Sequence, residues 1–94
     1  MTPSGATFQL TLISPAGRIF NDAVEEVIAP GEEGSFGVLA GHAPLVASLK
    51  RGTFKIKHHG ADQSWNVDAG VLEVNGQHDV LVLVDEAVLS TLSI

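Results

Sequence analysis

The sequence predicts a small all-β domain, a sandwich or barrel of about eight to ten short strands. Three observations carry that expectation. Several runs alternate apolar and polar residues with the period of two that a half-buried strand requires. Gly, Pro, Asn and Asp recur as turn signals at intervals of about 8–12 residues. No segment sustains a helical apolar period for more than two turns before a Gly or Pro interrupts it. Ninety-four residues correspond to one domain, and no internal repeat, linker or low-complexity tract divides them.

In chain order, residues 1–6 read as a loose polar arm, residues 7–87 as the sandwich and residues 88–94 as a tail. Thr7 to Ser14 alternates, with Phe8, Leu10 and Leu12 on one face and Gln9 and Thr11 on the other. Pro15-Ala16-Gly17 is a turn, Arg18 to Phe20 a short return strand, and Asn21-Asp22 a second turn signal. Ala23 to Ala29 has near-helical spacing, but its β-branched content and the Pro30-Gly31 stop favour a strand, with a bulge that turns both Glu25 and Glu26 to water.

Val46 to Leu49 follows the glycine-rich centre, then the basic turn Lys50-Arg51-Gly52. Thr53 to His59 alternates, placing Phe54, Ile56 and His58 on one face and Thr53, Lys55, Lys57 and His59 on the other. The outward lysines match the device by which edge strands resist unwanted pairing. Gly60-Ala61-Asp62 is a hairpin turn, answered by Gln63 to Asp68 with Trp65 and Val67 inward. Val71 to Val74 leads to Asn75-Gly76, a strong short hairpin signal, and to the partner strand Asp79 to Val84. The unbroken apolar run in that last strand predicts burial on both faces. Ala87 to Ile94 is apolar and fits either a stub of helix or a last strand.

The centre of the chain is Gly31 to Leu45, with glycines at 31, 34, 37 and 41, Glu32 and Glu33 at its front and His42 near its end. Glycine at this density opposes a helix and favours turn, short strand and turn, exposing backbone while the apolar residues Phe36, Val38, Leu39 and Leu45 anchor it. Such a segment is shaped to touch another surface.

Composition narrows the function classes. The net charge of −6 disfavours nucleic acid and anionic lipid as partners and favours a partner with a basic face. Four of the five basic residues, all but Arg18, lie between Lys50 and Lys57. Without cysteine there is no disulfide and no thiolate metal site. No apolar run reaches the ~18 residues of a membrane helix, so no direct membrane insertion is expected, and the N-terminus lacks the features of a signal peptide.

Catalytic and cofactor readings fail on spacing. Gly31-x-x-Gly34-x-x-Gly37 lacks a following Gly-Lys-Ser/Thr, and Glu32 and Glu33 would repel phosphate. No Gly-x-Ser-x-Gly elbow exists, although Ser35, Ser48 and His42 lie in the right region for a nucleophile and base. The four histidines form no His-x-His or Glu-x-x-His pair. Adjacent His58 and His59 should point to opposite faces of a strand. We expect no catalytic, cofactor or metal residues. His42 reads as a packing residue of a tight turn or as an interface contact, and His59 and His78 as solvent-exposed hairpin ends.

The stretch Ile28 to Gly52, IAPGEEGSFGVLAGHAPLVASLKRG, strongly resembles the epsilon subunit of F-type ATP synthase, above all in its Gly-His-Ala-Pro-Leu block, Gly41 to Leu45. The resemblance extends to Ile13 to Phe20, to Ala69 to Asn75 and to Val80 to Ala87, so that it spans Phe8 to about Ala87. It implies a flattened β-sandwich of ten strands and a non-catalytic rotor part of the central stalk, coupling proton transport to ATP synthesis. The implied partners are the gamma subunit and the polar loops of the c-ring. The implied place is peripheral, on the cytoplasmic side of the bacterial inner membrane. Carried over by motif, Glu32, Glu33, Gly34 and Ser35 would face the c-ring, and Ser14, His42 and Ala47 the gamma subunit. Ser35 stands where the family commonly has an acid, and Ala40 where it has a proline. The family's C-terminal helical hairpin is absent from these residues, and its inhibitory and ATP-binding roles are not carried over.

The alternative is a free-standing small-ligand-binding β-sandwich, which would need a groove lined with exposed aromatics. By alternation Phe8, Phe20, Phe54 and Trp65 point inward instead. An esterase-like enzyme using His42 is the third reading.

Overall fold

A computed structural model describes residues 6–93, so the expected arm lies, apart from Ala6, outside the described residues. The chain forms ten strands: β1 (Phe8–Ser14), β2 (Gly17–Val24), β3 (Glu26–Gly31), β4 (Gly34–Leu39), β5 (Leu45–Leu49), β6 (Gly52–His58), β7 (Ala61–Val67), β8 (Gly70–Val74), β9 (Val80–Val84) and β10 (Ala87–Ser93). The all-β architecture is therefore the one expected. Ala87 onward, left between helix and strand by its composition, is a strand paired antiparallel with β7.

Hydrogen bonding runs in the order β10-β7-β6-β3-β5-β8-β9-β1-β2, with β4 paired to the other side of β3. This continuous ladder folds into two layers, β4-β3-β6-β7-β10 and β5-β8-β9-β1-β2. β3 joins them: Glu26 to Ile28 pair with β6, while Gly31 pairs with Leu49 of β5. The crossing is closed by Lys50 N–H donating to the Pro30 carbonyl at 2.9 Å and Glu32 N–H to the Ser48 carbonyl at 3.0 Å. β1 runs parallel to β9, from Leu10↔Val80 to Ile13↔Leu83.

Alternation delivers the core. The inner faces contribute Val27, Ala29, Val38, Phe54, Ile56 and Val67 from one layer and Leu10, Leu12, Leu49, Leu72, Val74, Val80, Val82 and Val84 from the other. Phe8 and Val24 complete it, and among the described residues no polar or charged side chain is buried. Trp65 packs partly buried against this cluster opposite Phe54, with its indole N–H donating to Gln63 Oε1 at 2.8 Å.

Several local expectations are corrected. Asn21 and Asp22 do not turn the chain but lie inside β2, which continues to Val24. Asn21 faces outward at register with Thr11, and its Oδ1 accepts from Gln9 Nε2 at 2.6 Å and Thr11 Oγ1 at 3.1 Å. A polar pair therefore satisfies itself across the strands instead of breaking the ladder. The expected strand Ala23 to Ala29 is split by a bend at Glu25, where β2 ends and β3 begins.

Asn75-Gly76 is not a two-residue turn. The loop runs from Asn75 to Asp79, and His78, not Gly76, takes positive φ, at 67°. Asn75 Oδ1 accepts from Gln77 N–H at 2.8 Å and Asp79 N–H at 3.1 Å, so its side chain caps the loop in place of a backbone turn. The β6–β7 turn is His59-Gly60, one residue earlier than read, with φ of 54° and 75°. Positive φ at both centres is the primed geometry that follows the strand twist.

β6 is not an edge strand, since β3 and β7 flank it. Both lysines are exposed: Lys57 lies between Glu26 and Asp62, where the charges are complementary, and Lys55 between Ile28 and Ser64, so neither protects an edge. β9 is not covered on both faces. Val80, Val82 and Val84 are buried, but Leu83 is 47% exposed. The layer has one core face only, and the outward positions of the run stay at the surface.

Gly70 marks the closest backbone approach in this layer. A Cβ there would strike the Leu83 carbonyl and lie 2.9 Å from Val84. Backbone cannot give way as a flexible side chain can. We expect Gly70→Ala to destabilise the chain by about 2 kcal/mol or more, read as a lowered urea midpoint. Gly76→Ala, with nothing within 4 Å of the added methyl, should stay within about 0.5 kcal/mol.

Candidate interaction surface

The β3–β4 hairpin carries the acidic pair. Gly31 and Gly34 form its closing pair, leaving Glu32 and Glu33 as a two-residue tip. Both glutamates are exposed and keep ordinary negative φ; the unusual backbone belongs to Gly34, at φ 129°. A side chain there would be strained although nothing crowds it. Ser35 follows, exposed, opposite Pro30. The four residues expected to share one contact are thus contiguous at one tip. The tip borders a shallow groove whose other wall is β5, including Leu45, Val46, Ala47 and Ser48.

Ser14, His42 and Ala47 are not brought together in the same way. Ser14 ends β1 and half-buries its side chain, with Oγ accepting from Ala16 N–H at 3.2 Å. His42 lies before β5, in the loop that follows the left-handed Gly41. Its N–H donates to the Leu39 carbonyl at 3.2 Å, and Nδ1, as the protonated nitrogen, donates to the Ala43 carbonyl at 2.7 Å. The His42 carbonyl in turn accepts from His78 Nδ1 at 2.9 Å, tying this loop to the β8–β9 loop. Ser14 and His42 therefore stand at opposite ends of the β5-β8-β9-β1-β2 layer. Ala47 is at register with Leu72, and through it with Val82, so its side chain takes the inward face and joins the groove beside the acidic tip.

The ground between Ser14 and His42 is an outer sheet face that sequence reasoning did not single out. Register places Val46 beside Glu73 and Leu81, and Ser48 beside Val71, Leu83 and Ile13. Val46 is 70% exposed, Val71 41% and Leu83 47%. Ile13, Val71 and Leu83 line a shallow apolar depression next to Ser14 and Pro15. The signal was present in the apolar run of β9, whose odd positions have no core to enter once a second layer covers only one face. Exposed apolar side chains grouped on one sheet face make it a candidate interaction surface.

A second cluster lies where β2 meets the end of β6. His58 Nε2 lies 2.9 Å from Asp22 Oδ2. Asp22 is held below the usual carboxylate value by the Ala23 N–H on its other oxygen and by His58. His59 does not point away from His58. Its left-handed backbone cancels the strand alternation, and the two rings lie 4.2 Å apart, centre to centre.

The family model for the ATP synthase Delta/Epsilon chain, beta-sandwich domain, matches residues 7–90. The chain belongs to this family. Among curated relatives, the ATP synthase epsilon chain of Bradyrhizobium sp. (strain ORS 278) is 42% identical over 82 residues, which is 87% of this chain and 60% of that one. The epsilon chain of Rhodopseudomonas palustris (strain BisB18) is 45% identical over the same shares. The chain thus spans about 60% of the length of these curated relatives. Among solved structures, a chain of the Euglena gracilis mitochondrial ATP synthase, resolved with OSCP, F1 and the c-ring, superposes with a TM-score of 0.84 at 28% identity, covering 94% of this chain and 56% of that one. A chain from the Tetrahymena thermophila mitochondrial ATP synthase central stalk and c-ring shares the fold, with a TM-score of 0.77 at 16% identity over 88% of this chain and 66% of its own length. Delta/epsilon chains are subunits of the ATP synthase complex and not enzymes in their own right.

The family's sandwich here places all five of its aromatics against or within the core, Phe8 and Phe54 buried and Phe20, Phe36 and Trp65 packed on it. The aromatic-lined groove that a small-ligand module would need is not formed among the described residues. Val46, Val71 and Leu83 of the outer face, by contrast, lie outside the buried core. We expect the combined variant Val46→Ser, Val71→Thr, Leu83→Thr to change stability by about 0.5 kcal/mol or less per site. Binding of an apolar fluorescent dye to the folded chain should fall measurably in the same variant.

Proposed function

We propose that this domain is a non-catalytic rotor element of an F-type ATP synthase, joining the gamma subunit to the c-ring and so coupling proton transport to ATP synthesis. The observation that carries this reading is the separation of two unlike surfaces on one rigid sandwich. One is the apolar outer face of β5, β8, β9 and β1, flanked by Ser14 and His42. The other is the acidic, glycine-closed tip Glu32-Glu33-Gly34-Ser35. A part that transmits torque needs two grips held at fixed geometry, and a single sandwich core supplies that rigidity.

In this reading the apolar face, with Ser14 and His42 at its ends, seats the gamma subunit. Val46, Val71 and Leu83 provide the desolvated centre there, and the polar ends fix register. The acidic tip meets the polar loops of the c-ring. Its two carboxylates suit basic or hydrogen-bonding groups and give orientation more than affinity. Ala47, set in the groove beside the tip, acts by its small size, which keeps the groove open to an incoming loop. The domain works at the cytoplasmic face of the bacterial inner membrane through these contacts. Among the described residues no helix is long and apolar enough to cross a membrane.

The test is capture of the tagged protein from detergent-solubilised membranes, with partners identified by mass. Recovery of gamma and the c subunit is the expected result. Val46→Ser, Val71→Thr, Leu83→Thr should lose gamma by tenfold or more, about 1.4 kcal/mol of binding. Glu32→Gln, Glu33→Gln should retain gamma and weaken c-ring recovery. Recovery of neither subunit, with the chain monomeric in the soluble fraction, would overturn the reading in favour of a free-standing module.

A further inference from the structure

The cluster of Asp22, His58 and His59 has no part in either grip. It stands where β2, the end strand of one layer, passes the β6–β7 hairpin of the other. β2 and β6 share no ladder of backbone hydrogen bonds there. One potential ligand atom from each of the three residues lies within 4.8 Å of the other two. We propose that Asp22, His58 and His59 form a binding site for a late first-row divalent cation of the Zn2+ type, which clips the two layers together.

The local backbone explains why three ligands converge. In a regular strand His58 and His59 would diverge, but the left-handed conformation of His59 and Gly60 brings the second ring beside the first. That turn is pinned from outside, because Gly60 N–H donates to Glu25 Oε1 at 2.9 Å. Phe20 packs edge-on against His58, with ring centres 5.4 Å apart and planes at 79°. The second oxygen of Asp22 is occupied by Ala23 N–H at 2.7 Å, which leaves Oδ2 directed at His58. Outer contacts that fix ring and carboxylate orientation are what a metal ligand set requires.

The donor set selects the ion. Two imidazole nitrogens and one carboxylate oxygen suit Zn2+, Co2+, Ni2+ or Cu2+. They do not suit Mg2+ or Ca2+, which take oxygen ligands in larger number. Bonds of about 2.0–2.1 Å from one ion to all three would require the ligand atoms, which lie within 4.8 Å of one another, to close around it by side-chain rotation while the 2.9 Å His58–Asp22 contact opens slightly. His58 is half-buried and its two partners are exposed, so water would complete the coordination sphere. Open coordination and free side chains place the affinity well below that of a closed structural zinc site. An ion bound to the folded chain alone stabilises it by mass action. That stabilisation would act on the seam between β2 and β6, where Glu25 N–H donates to the Lys57 carbonyl at 2.9 Å but no strand ladder forms.

Calorimetric titration of Zn2+ into the 94-residue chain, with visible absorption of Co2+ as a second probe, tests the site. We expect one ion per chain and a thermal midpoint that rises with Zn2+, by on the order of 10 °C at a hundredfold excess over the dissociation constant. Asp22→Asn, His58→Gln and His59→Gln should each weaken binding about tenfold or more while circular dichroism shows the fold unchanged. His42→Gln with His78→Gln should leave binding intact. No saturable binding, or binding unchanged by His59→Gln, or binding lost with the His42 and His78 pair, would each overturn the proposal.

Discussion

Everything in this structure depends on β3 pairing with both layers. Its first half belongs to β6 and its last residue to β5, so the two sheets are fixed to each other by a covalent strand as well as by packing. Pro30 and Gly31 are the residues that make the crossing. Pro30 offers its carbonyl to Lys50 and has no N–H to leave unpaired. Gly31 sits where a Cβ would lie 2.7 Å from the Gly34 carbonyl and 2.9 Å from the Phe36 ring. The same residue thus closes the acidic hairpin and joins the layers. The position of the tip relative to the core is set by one short stretch of backbone.

Much of this was legible in the sequence, for a physical reason. Strands buried on one face announce themselves by alternation, and Phe8, Leu10, Leu12, Phe54, Ile56 and Val67 all fell where a period of two put them. What was not legible depended on side chains competing with backbone. Asn21 looked like a turn residue because asparagine often is one, yet across from Thr11 it satisfies itself in a strand. Asn75-Gly76 looked like a primed turn, yet Asn75 spends its side chain capping a longer loop. For Asn21 the deciding partners lay on the neighbouring strand, and for Asn75 they were the backbone N–H groups of its own loop.

The surface readings divide along the same line. The acidic tip is contiguous in sequence, so its four residues had to lie together whatever the fold. Ser14, His42 and Ala47 are distant in sequence, and only the register of β1, β9, β8 and β5 shows which of them share a face. The apolar outer face is built wholly from that register. Equally, His58 and His59 converge only because a turn begins one residue sooner than alternation implies. A single left-handed residue reverses which side of a sheet a ring occupies.

The parallel pairing of β1 with β9 has a consequence for how the chain is made. Strands that pair across about seventy residues cannot do so until both exist, and closing so long a loop is entropically slow. The β1–β2 hairpin therefore waits for β9 before the second edge of β1 is paired. During that interval the layer that carries Leu10 and Leu12, fully buried in the finished domain, is incomplete. Synthesis proceeds at about 5–20 residues per second, so the vulnerable period lasts seconds and not milliseconds. Until β9 emerges, β1 has only β2 as a strand partner.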